Sequence, residues 1–202
     1  WVDNGTVNID SSFVRGNLSV AGVGGGIVLT NSANVVATNT TIGGTSAAQG
    51  NKAVNGGGVY MVSAASVFAM TGGSLSYNEA NGIPTAPFGS GGGIYAPAGT
   101  ITLTGVNITF NKATNLPGGT GNGGVLHRNG PATVTISKSR IFGNTASTFG
   151  HSLNNEVPGA ITAINNWWGC DDLPPVNAAP ANGCDQVRTS GTATITTSPR
   201  ID

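Results

Sequence analysis

GGGIYAPAGTITLTGVNITFN, residues 91–111, carries the pattern that decides the fold. Ile101 is followed by a second apolar residue two positions later, a third seven positions after itself, and Asn111 ten positions after itself. The template recurs with steps of 28, 33, 33, 33 and 27 residues, and repetition at such periods is the signature of stacked structural units. Its three apolar columns are Val7, Val35, Phe68, Ile101, Val134 and Ile161; Ile9, Ala37, Met70, Leu103, Ile136 and Ala163; and Val14, Ile42, Leu75, Ile108, Ile141 and Trp168.

A polar column stands ten residues after each first apolar position. Side-chain amides donate and accept hydrogen bonds, so equivalent asparagines in stacked units can bond to one another. The pattern therefore predicts an asparagine ladder that is interrupted in the second unit, where a threonine stands. The column consists of Asn17, Thr45, Asn78, Asn111, Asn144 and Asp171.

Glycine clusters precede four of the units, at Gly24–Gly26, Gly56–Gly58, Gly91–Gly93 and Gly123–Gly124. Glycine tolerates positive φ and close backbone approach, which tight turns between stacked coils require. Each unit also offers three short β segments, too little strand for a hairpin sandwich but enough for a three-sided coil. We therefore expect an all-β, right-handed parallel β-helix of about six coils, whose like residues stack at about 4.8 Å.

Two other architectures fit the glycine content less well. A flexible glycine-rich linker would not keep three columns apolar at 33-residue steps. A β-propeller needs blades of roughly 40 residues with four longer strands, which these units do not supply. The β-helix remains the better prediction.

The composition restricts the partners. The 202 residues include 33 glycines, only 8% are charged, and the net charge is zero. The charges form no basic stripe, which argues against nucleic acid as a partner. A neutral surface lacks the self-repulsion that keeps molecules apart, so association with other copies is physically easy.

The chain shows no apolar stretch long enough for a transmembrane helix and no signal-peptide pattern, so we expect no membrane insertion and a processed or excised chain. Its two cysteines, Cys170 and Cys184, enclose a loop rich in Pro, Ala and Asn. A disulfide and an oxidising, extracellular location are expected, the alternative being two reduced thiols. We expect one domain over 1–202, with repeating coils over 1–169, the Cys-bounded loop over 170–184, and a final strand and tail over 185–202.

Three insertions distinguish the units: Ser46–Asn51, Ile83–Ser90 and Thr114–Asn122. Insertions belong at turns, where they are free to contact a partner. We expect no capping helix at either end of the rod, so Val2–Ile9 and Thr192–Thr196 are exposed for pairing between molecules.

The segment Ile141–Ala146, together with the Gly-Gly-Gly-Ile-Tyr motif, resembles the repeats of polymorphic outer-membrane and autotransporter passenger proteins. Ile164–Cys170, followed by Cys184–Asp185 and Thr192–Thr196, resembles the closing coil of large secreted bacterial β-helix proteins. The resemblance covers roughly residues 7–199. It implies an exported surface protein of the pectate-lyase-like β-helix superfold and supplies no catalytic residue. The chain departs from full passengers because it ends without a membrane barrel.

The chemistry-bearing residues favour structure over catalysis. The repeat does not bring the acidic residues together at one place. Asp171 and Asp172 are adjacent, and neighbours on a strand point to opposite faces. Glu79 lies one coil from Lys112, which predicts an axial ion pair. Neither a catalytic site, a cofactor site nor a metal site is predicted. The remaining acidic residues are Asp3, Asp10, Glu156, Asp185 and Asp202.

The histidines and aromatic residues have a structural default. His127 and His151 are expected to be solvated turn residues. Trp168, unlike Trp167, occupies a core column and should cover the end of the core, although the pair also suits sugar stacking. The tyrosines are expected to be wall residues; they are Tyr60, Tyr77 and Tyr95.

Threonine-rich strands such as Ile101–Thr104 place hydroxyls on the outer face, an arrangement that can bind ice when it is regular. Asn8 and Ala69 interrupt it. The sequence therefore favours a non-catalytic extracellular building block that stacks end to end into a surface fibre or another self-associating assembly. The alternative is an adhesin or carbohydrate-binding rod that uses its insert loops on a surface polysaccharide or a host or matrix ligand. A polysaccharide-degrading enzyme and an ice-binding protein are less favoured.

Overall fold

The structure is a computed structural model that describes residues 1–86, 88–178 and 184–198. Every regular element in these ranges is a β-strand, and the strands are numbered β1 to β25 along the chain. They form five sheets, named sheets 1 to 5 here. All strand pairings within the sheets are parallel, and each strand pairs with its counterpart in the next coil. The chain is therefore a parallel β-solenoid, which confirms the predicted fold class.

Sheets 1 and 2 run the whole length of the rod. Sheet 1 contains β1 (Val2–Asp3), β4 (Ile27–Thr30), β8 (Val59–Met61), β13 (Ile94–Tyr95), β18 (Leu126–Arg128), β22 (Leu153–Asn155) and β24 (Val187–Thr189). Sheet 2 contains β2 (Thr6–Asp10), β5 (Asn34–Thr38), β9 (Val67–Thr71), β14 (Thr100–Thr104), β19 (Thr133–Ser137), β23 (Gly159–Thr162) and β25 (Ala193–Thr196).

Sheets 3 to 5 complete the wall. Sheet 3 contains β3 (Phe13–Val14), β6 (Thr41–Gly43), β10 (Ser74–Ser76), β15 (Asn107–Thr109) and β20 (Arg140–Phe142). Sheet 4 contains β7 (Lys52–Ala53), β11 (Glu79–Asn81), β16 (Lys112–Thr114) and β21 (Thr145–Ala146). Sheet 5 is the pair β12 (Gly89–Ser90) and β17 (Gly121–Asn122).

The predicted apolar columns form the core, except at Val7 of the first coil, which is exposed. Ile101 pairs with Phe68 on one side and Val134 on the other, and Ile108 pairs with Leu75 and Ile141. These side chains are buried and belong to one hydrophobic cluster that extends along the rod. Stacking like residues over like therefore removes apolar surface from water in every coil, and this burial is the dominant force that holds the rod together.

The glycine clusters occupy the turns that lead into sheet 1. Gly56 has a φ of +63°, which L side chains rarely adopt. A Cβ on Gly57 would stand 2.4 Å from the carbonyl oxygen of Glu79. Each cluster therefore supplies both the positive φ and the close backbone approach that the sequence predicted.

The asparagine ladder is present and continuous. The side-chain Nδ2 of each rung donates to the side-chain oxygen of the next, at 2.8 to 3.1 Å. From the second rung onward, Nδ2 also donates to a main-chain carbonyl oxygen of the preceding coil, so both amide hydrogens are used. The rungs are Asn17, Asn51, Asn78, Asn111, Asn144 and Asp185.

Two rungs differ from the prediction. Thr45 is not a rung: its hydroxyl and main-chain N–H both donate to Gln49 Oε1. Asn51, at the end of the insertion, takes the rung position and is buried. Residues 45–50 therefore loop out of the coil, so the second coil keeps an asparagine that a template of fixed spacing misses.

The last rung is Asp185 and not Asp171, because the Cys-bounded loop separates the two. Asp171 is exposed. Asp185 Oδ2 accepts hydrogen bonds from Asn144 Nδ2 at 2.8 Å and from the Ser152 hydroxyl at 2.6 Å. Burial raises the pKa of the Asp185 carboxyl, and these hydrogen bonds oppose that rise. The ladder therefore ends on a side chain that, when ionised, only accepts.

The predicted disulfide joins Cys170 and Cys184, with their Cα atoms 5.0 Å apart. Within the loop that it closes, residues 179–183 lie outside the described part of the chain. Trp168 is fully buried in the core cluster, as its column predicted. The disulfide therefore holds the closing loop beside the last coils of the core.

Candidate functional site

Sheet 1 carries a column of side chains that changes from apolar to polar along the rod. The middle of this column is a stack of rings: Tyr60 lies 5.4 Å from Tyr95, and Tyr95 lies 5.5 Å from His127, between centroids. The register places Val28, Tyr60, Tyr95, His127, Asn154 and Arg188 in successive strands. The polar end of the column forms the candidate site.

His127 corrects the prediction of a solvated turn histidine. It lies in strand β18 and is only 4% exposed. Its Nε2 atom lies 3.1 Å from Glu156 Oε2. His151 does not join it, because the register pairs His127 with Asn154.

Glu156 is the centre of the polar cluster. Its Oε1 accepts hydrogen bonds from Asn154 Nδ2 at 2.8 Å and from Asn122 Nδ2 at 3.2 Å. The Arg188 guanidinium lies 3.8 Å from the same oxygen and covers the ring of Phe149. The hydrogen bond from His127, with the neighbouring donors and Arg188, lowers the pKa of Glu156 against the effect of burial. Glu156 is therefore an ionised, fully paired carboxylate.

Around this carboxylate, three buried polar atoms have no partner within the described residues: Asn122 Oδ1, Asn154 Oδ1 and His127 Nδ1. A fourth, His127 Nε2, lies close to Glu156 Oε2 without the geometry of a well-directed hydrogen bond. Buried polar groups are satisfied in the great majority of cases, and each exception needs an explanation. The sequence analysis missed this cluster, because His127 and Glu156 meet only through the 27-residue step between β18 and β22.

A cleft of about 380 Å³ opens beside the cluster. The first of the two insertions that border it contributes Phe88 and Ser90, and the second contributes Thr120 and Asn122. Of the expected insertion Ile83–Ser90, residue 87 lies outside the described part of the chain. The two insertions therefore lie at one place on the rod, where they form the cleft with the histidine column.

A second line of aromatic rings follows another edge of the rod. Tyr77 stacks on Phe110 at 4.9 Å, Phe110 contacts Phe142, and Phe142 contacts Trp167, the last two at 5.5 and 5.4 Å. The Arg140 guanidinium lies over Phe142 and Trp167. These rings mainly contact one another, which supports a structural role for this edge.

Glu79 lies as the template suggested. Glu79 bonds to Lys52 at 3.1 Å and approaches Lys112 at 3.8 Å, which confirms the axial ion pair and adds a second partner. Over residues 1–86, 88–178 and 184–198, no group of three or more His, Cys, Asp or Glu side chains is placed to hold a metal ion. Asp202 lies outside the described residues.

The threonine-rich face lies on sheet 2, where Thr102 pairs with Thr135. In the same outward column stand Asn8, Val36 and Ala69, one coil apart from each other. In this column the hydroxyls are therefore confined to the C-terminal half, although a parallel column of sheet 2 continues through Thr38, Thr71 and Thr104.

The first coil has uncovered strand edges. Among the described residues, strands β1, β2 and β3 each pair on one side only. Of the twelve large apolar side chains that are exposed in the described part of the chain, five belong to residues 1–20. They are Trp1, Val7, Phe13, Leu18 and Val20, with exposed fractions of 81, 38, 66, 67 and 72%. We call this surface the open N-terminal coil.

At the opposite end of the rod, residues of the Cys-bounded loop cover the edge of sheet 1. The Val187 N–H donates to the Pro175 carbonyl oxygen, and the Val187 carbonyl accepts from Asn177 N–H, both at 3.0 Å. Val187 is fully buried as a result. The expected exposure of the last coil is therefore wrong only for sheet 1, where the Cys-bounded loop covers β24. In sheet 2, β25 (Ala193–Thr196), which belongs to the segment expected to be exposed, pairs only with β23 among the described residues.

The described residues contain no helix that is long and apolar enough to cross a membrane. No protein-family model, no curated protein and no solved structure matches the chain. Two surfaces are therefore the candidates for binding: the open N-terminal coil, and the cleft between the insertions.

Proposed function

We propose that this chain is a non-catalytic, extracellular structural protein that associates with a second copy of itself through the open N-terminal coil. The exposed apolar side chains of residues 1–20 carry this proposal. These side chains all belong to the first coil, and concentrated apolar exposure marks interaction surfaces. Unpaired strand edges beside them add hydrogen-bonding groups that a second chain can satisfy.

The difference between the two ends favours pairing of like ends. Head-to-tail stacking would need an open surface at both ends, since a fibre grows through one heterologous contact repeated along it. The segment around Pro175 already occupies the edge of β24, so of the two long sheets only sheet 2 keeps an unpaired edge at this end among the described residues. Asp185 ends the asparagine ladder without an amide to donate onward, while Asn17 Oδ1 receives no hydrogen bond from a described residue. Two open coils that meet about a two-fold axis give a closed dimer.

Two further features support an extracellular building block. The disulfide between Cys170 and Cys184 is compatible with an oxidising compartment. The low charge and zero net charge remove electrostatic resistance to self-association. The relation to autotransporter passengers stays a prediction from the sequence.

Sedimentation velocity over a concentration series tests the proposal. We expect reversible dimers for the unmodified chain. The variant Leu18→Glu places a charge on a side chain that is 67% exposed, and we expect its dimer Kd to rise by at least about tenfold, because burying an unpaired charge costs more than 1.4 kcal/mol.

The matched control is Val176→Glu, which charges an apolar side chain, 49% exposed, at the covered end. It should leave the dimer intact. A monomer at every concentration would refute the proposal, and loss of association only in Val176→Glu would place the contact at the wrong end.

A further inference from the structure

We infer that the cleft between the two insertions is a binding site for a neutral saccharide, independent of the dimer contact at the N-terminal coil. The inference combines three observations: unpaired hydrogen-bond acceptors beside the cleft, an exposed aromatic ring at its edge, and a carboxylate whose charge is already balanced.

The unpaired acceptors point to a ligand rich in hydroxyl groups. His127 lines the cleft, and its buried Nδ1 has no partner within the described residues; a hydroxyl group can bond to it in either protonation state, because a hydroxyl both donates and accepts. The buried oxygen of Asn122, which also lines the cleft, and that of Asn154, which bonds to Glu156, are acceptors without a described partner. A buried polar group without a partner is costly, so a ligand that satisfies such groups gains affinity. A polyol is a class of ligand that brings several O–H donors together.

The aromatic ring fits the apolar face of a sugar. Phe88 lines the cleft and is 50% exposed. Ligand sites combine such apolar surface with a few placed polar groups. Here Ser90, Thr120 and Asn129 supply hydroxyl and amide groups around the same cleft. Asn129 is held by a 2.8 Å hydrogen bond to the Tyr95 hydroxyl.

The charge balance selects a neutral ligand. Glu156 is already bonded by Asn122, Asn154 and His127 and lies beside Arg188. A cation would have to displace these donors, and an acidic sugar would meet the Glu156 carboxylate at short range. A neutral sugar disturbs neither arrangement, so acidic oligosaccharides should bind more weakly than neutral ones.

Isothermal titration calorimetry with defined oligosaccharides tests this inference. The probes are neutral hexaoses of β-1,4-glucan, β-1,4-xylan, β-1,4-mannan and α-1,4-glucan, with hexagalacturonate as the acidic counterpart. We expect at least one neutral probe to bind with a Kd on the order of 0.1–1 mM, a range suited to a shallow cleft. Phe88→Ala should weaken that binding by about tenfold, the effect of losing one aromatic contact of roughly 1.4 kcal/mol.

Phe110→Ala is the matched control, because Phe110 is 42% exposed and lies in the other aromatic line. It should bind as the unmodified chain does, and the midpoint of thermal unfolding shows that both variants are folded. The inference is overturned if no neutral probe binds at about 5 mM, if only hexagalacturonate binds, or if the two phenylalanine variants lose binding equally.

Discussion

Replacing one internal rung of the asparagine ladder should destabilise the rod far more than replacing its exposed end. Asn111 is fully buried. Its Oδ1 accepts from Asn78 N–H at 3.1 Å and from Asn78 Nδ2 at 3.0 Å, and its Nδ2 donates to the Leu75 carbonyl oxygen at 2.8 Å. Its Nδ2 also donates to Asn144 Oδ1 at 3.1 Å. Asn111→Ala therefore leaves two donors and the Leu75 oxygen without these partners, while Asn144 Oδ1 keeps only the bond from the Asn111 N–H. At about 1–3 kcal/mol for each buried orphan, partly relieved by relaxation, we expect a loss of roughly 3–5 kcal/mol in the free energy of unfolding.

Asn17→Ala is the control at the open end of the ladder. Asn17 is exposed, and its Nδ2 makes a single ladder bond, to Asn51 Oδ1 at 2.8 Å. Water can replace this bond, so the loss should be about 1 kcal/mol or less.

Urea unfolding followed by far-ultraviolet circular dichroism measures both losses, and hydrogen exchange shows whether the loss spreads to neighbouring coils. Stacked repeats depend on their neighbours, so Asn111→Ala should lower protection in the coils on both sides. If Asn111→Ala lowers the free energy of unfolding by no more than Asn17→Ala does, the interior rungs of the ladder do not stabilise the rod.

Three other changes test the closing region and the polar cluster. Replacing Cys170 and Cys184 together by serine should lower the free energy of unfolding by about 3 kcal/mol, as expected for a loop of about 15 residues. The fully reduced wild type is the control. An unchanged urea midpoint would contradict this expectation. Because burial raises the pKa of Asp185 above its ordinary 3.8, its stabilising contribution is complete below that pH and lost as the pH rises through the folded value. The stability of the wild type relative to Asp185→Asn should therefore fall as the pH rises above 3.8, and a rise would contradict the sign. His127 lowers the pKa of Glu156 below 4.5. The stability of the wild type relative to Glu156→Gln should therefore fall as the pH drops below that value. A difference that does not change with pH would show that the cluster does not stabilise the ionised Glu156 carboxylate.

The core could be predicted from the sequence because its columns repeat with few interruptions. Residues such as Ile101 and Ile108 keep their spacing within each strand pair, and parallel stacking in register places them over their equivalents. The glycine turns were predicted for the same reason. Every coil needs the same buried apolar side chains and the same turn geometry, so the pattern repeats and is visible in a single chain.

The ladder rungs Asn51 and Asp185 were missed because insertions separate them from their template positions. A fixed spacing points to Thr45 and Asp171, whereas the structure loops out the intervening residues and restores the hydrogen bonds. Which residue becomes a rung depends on its burial and its hydrogen bonds, and not on a fixed distance along the sequence.

The polar cluster could not be predicted from the template either. The pairing of His127 with Glu156 depends on the register of sheet 1, which the apolar columns of sheets 2 and 3 do not determine. A search for a leucine pair, Leu126 and Leu153, at the 27-residue step would have brought the two residues together. The covering of one end by the Cys-bounded loop likewise has no periodic signal.

Negative-stain electron microscopy of the purified chain over a concentration series distinguishes pairing of like ends from fibre growth, because it measures the length of the assembled rod. Pairing of like ends predicts two populations, single rods and rods of twice that length, with the longer population lost in Leu18→Glu. Fibres of unlimited length, or single rods at every concentration, would contradict an assembly built on the open N-terminal coil.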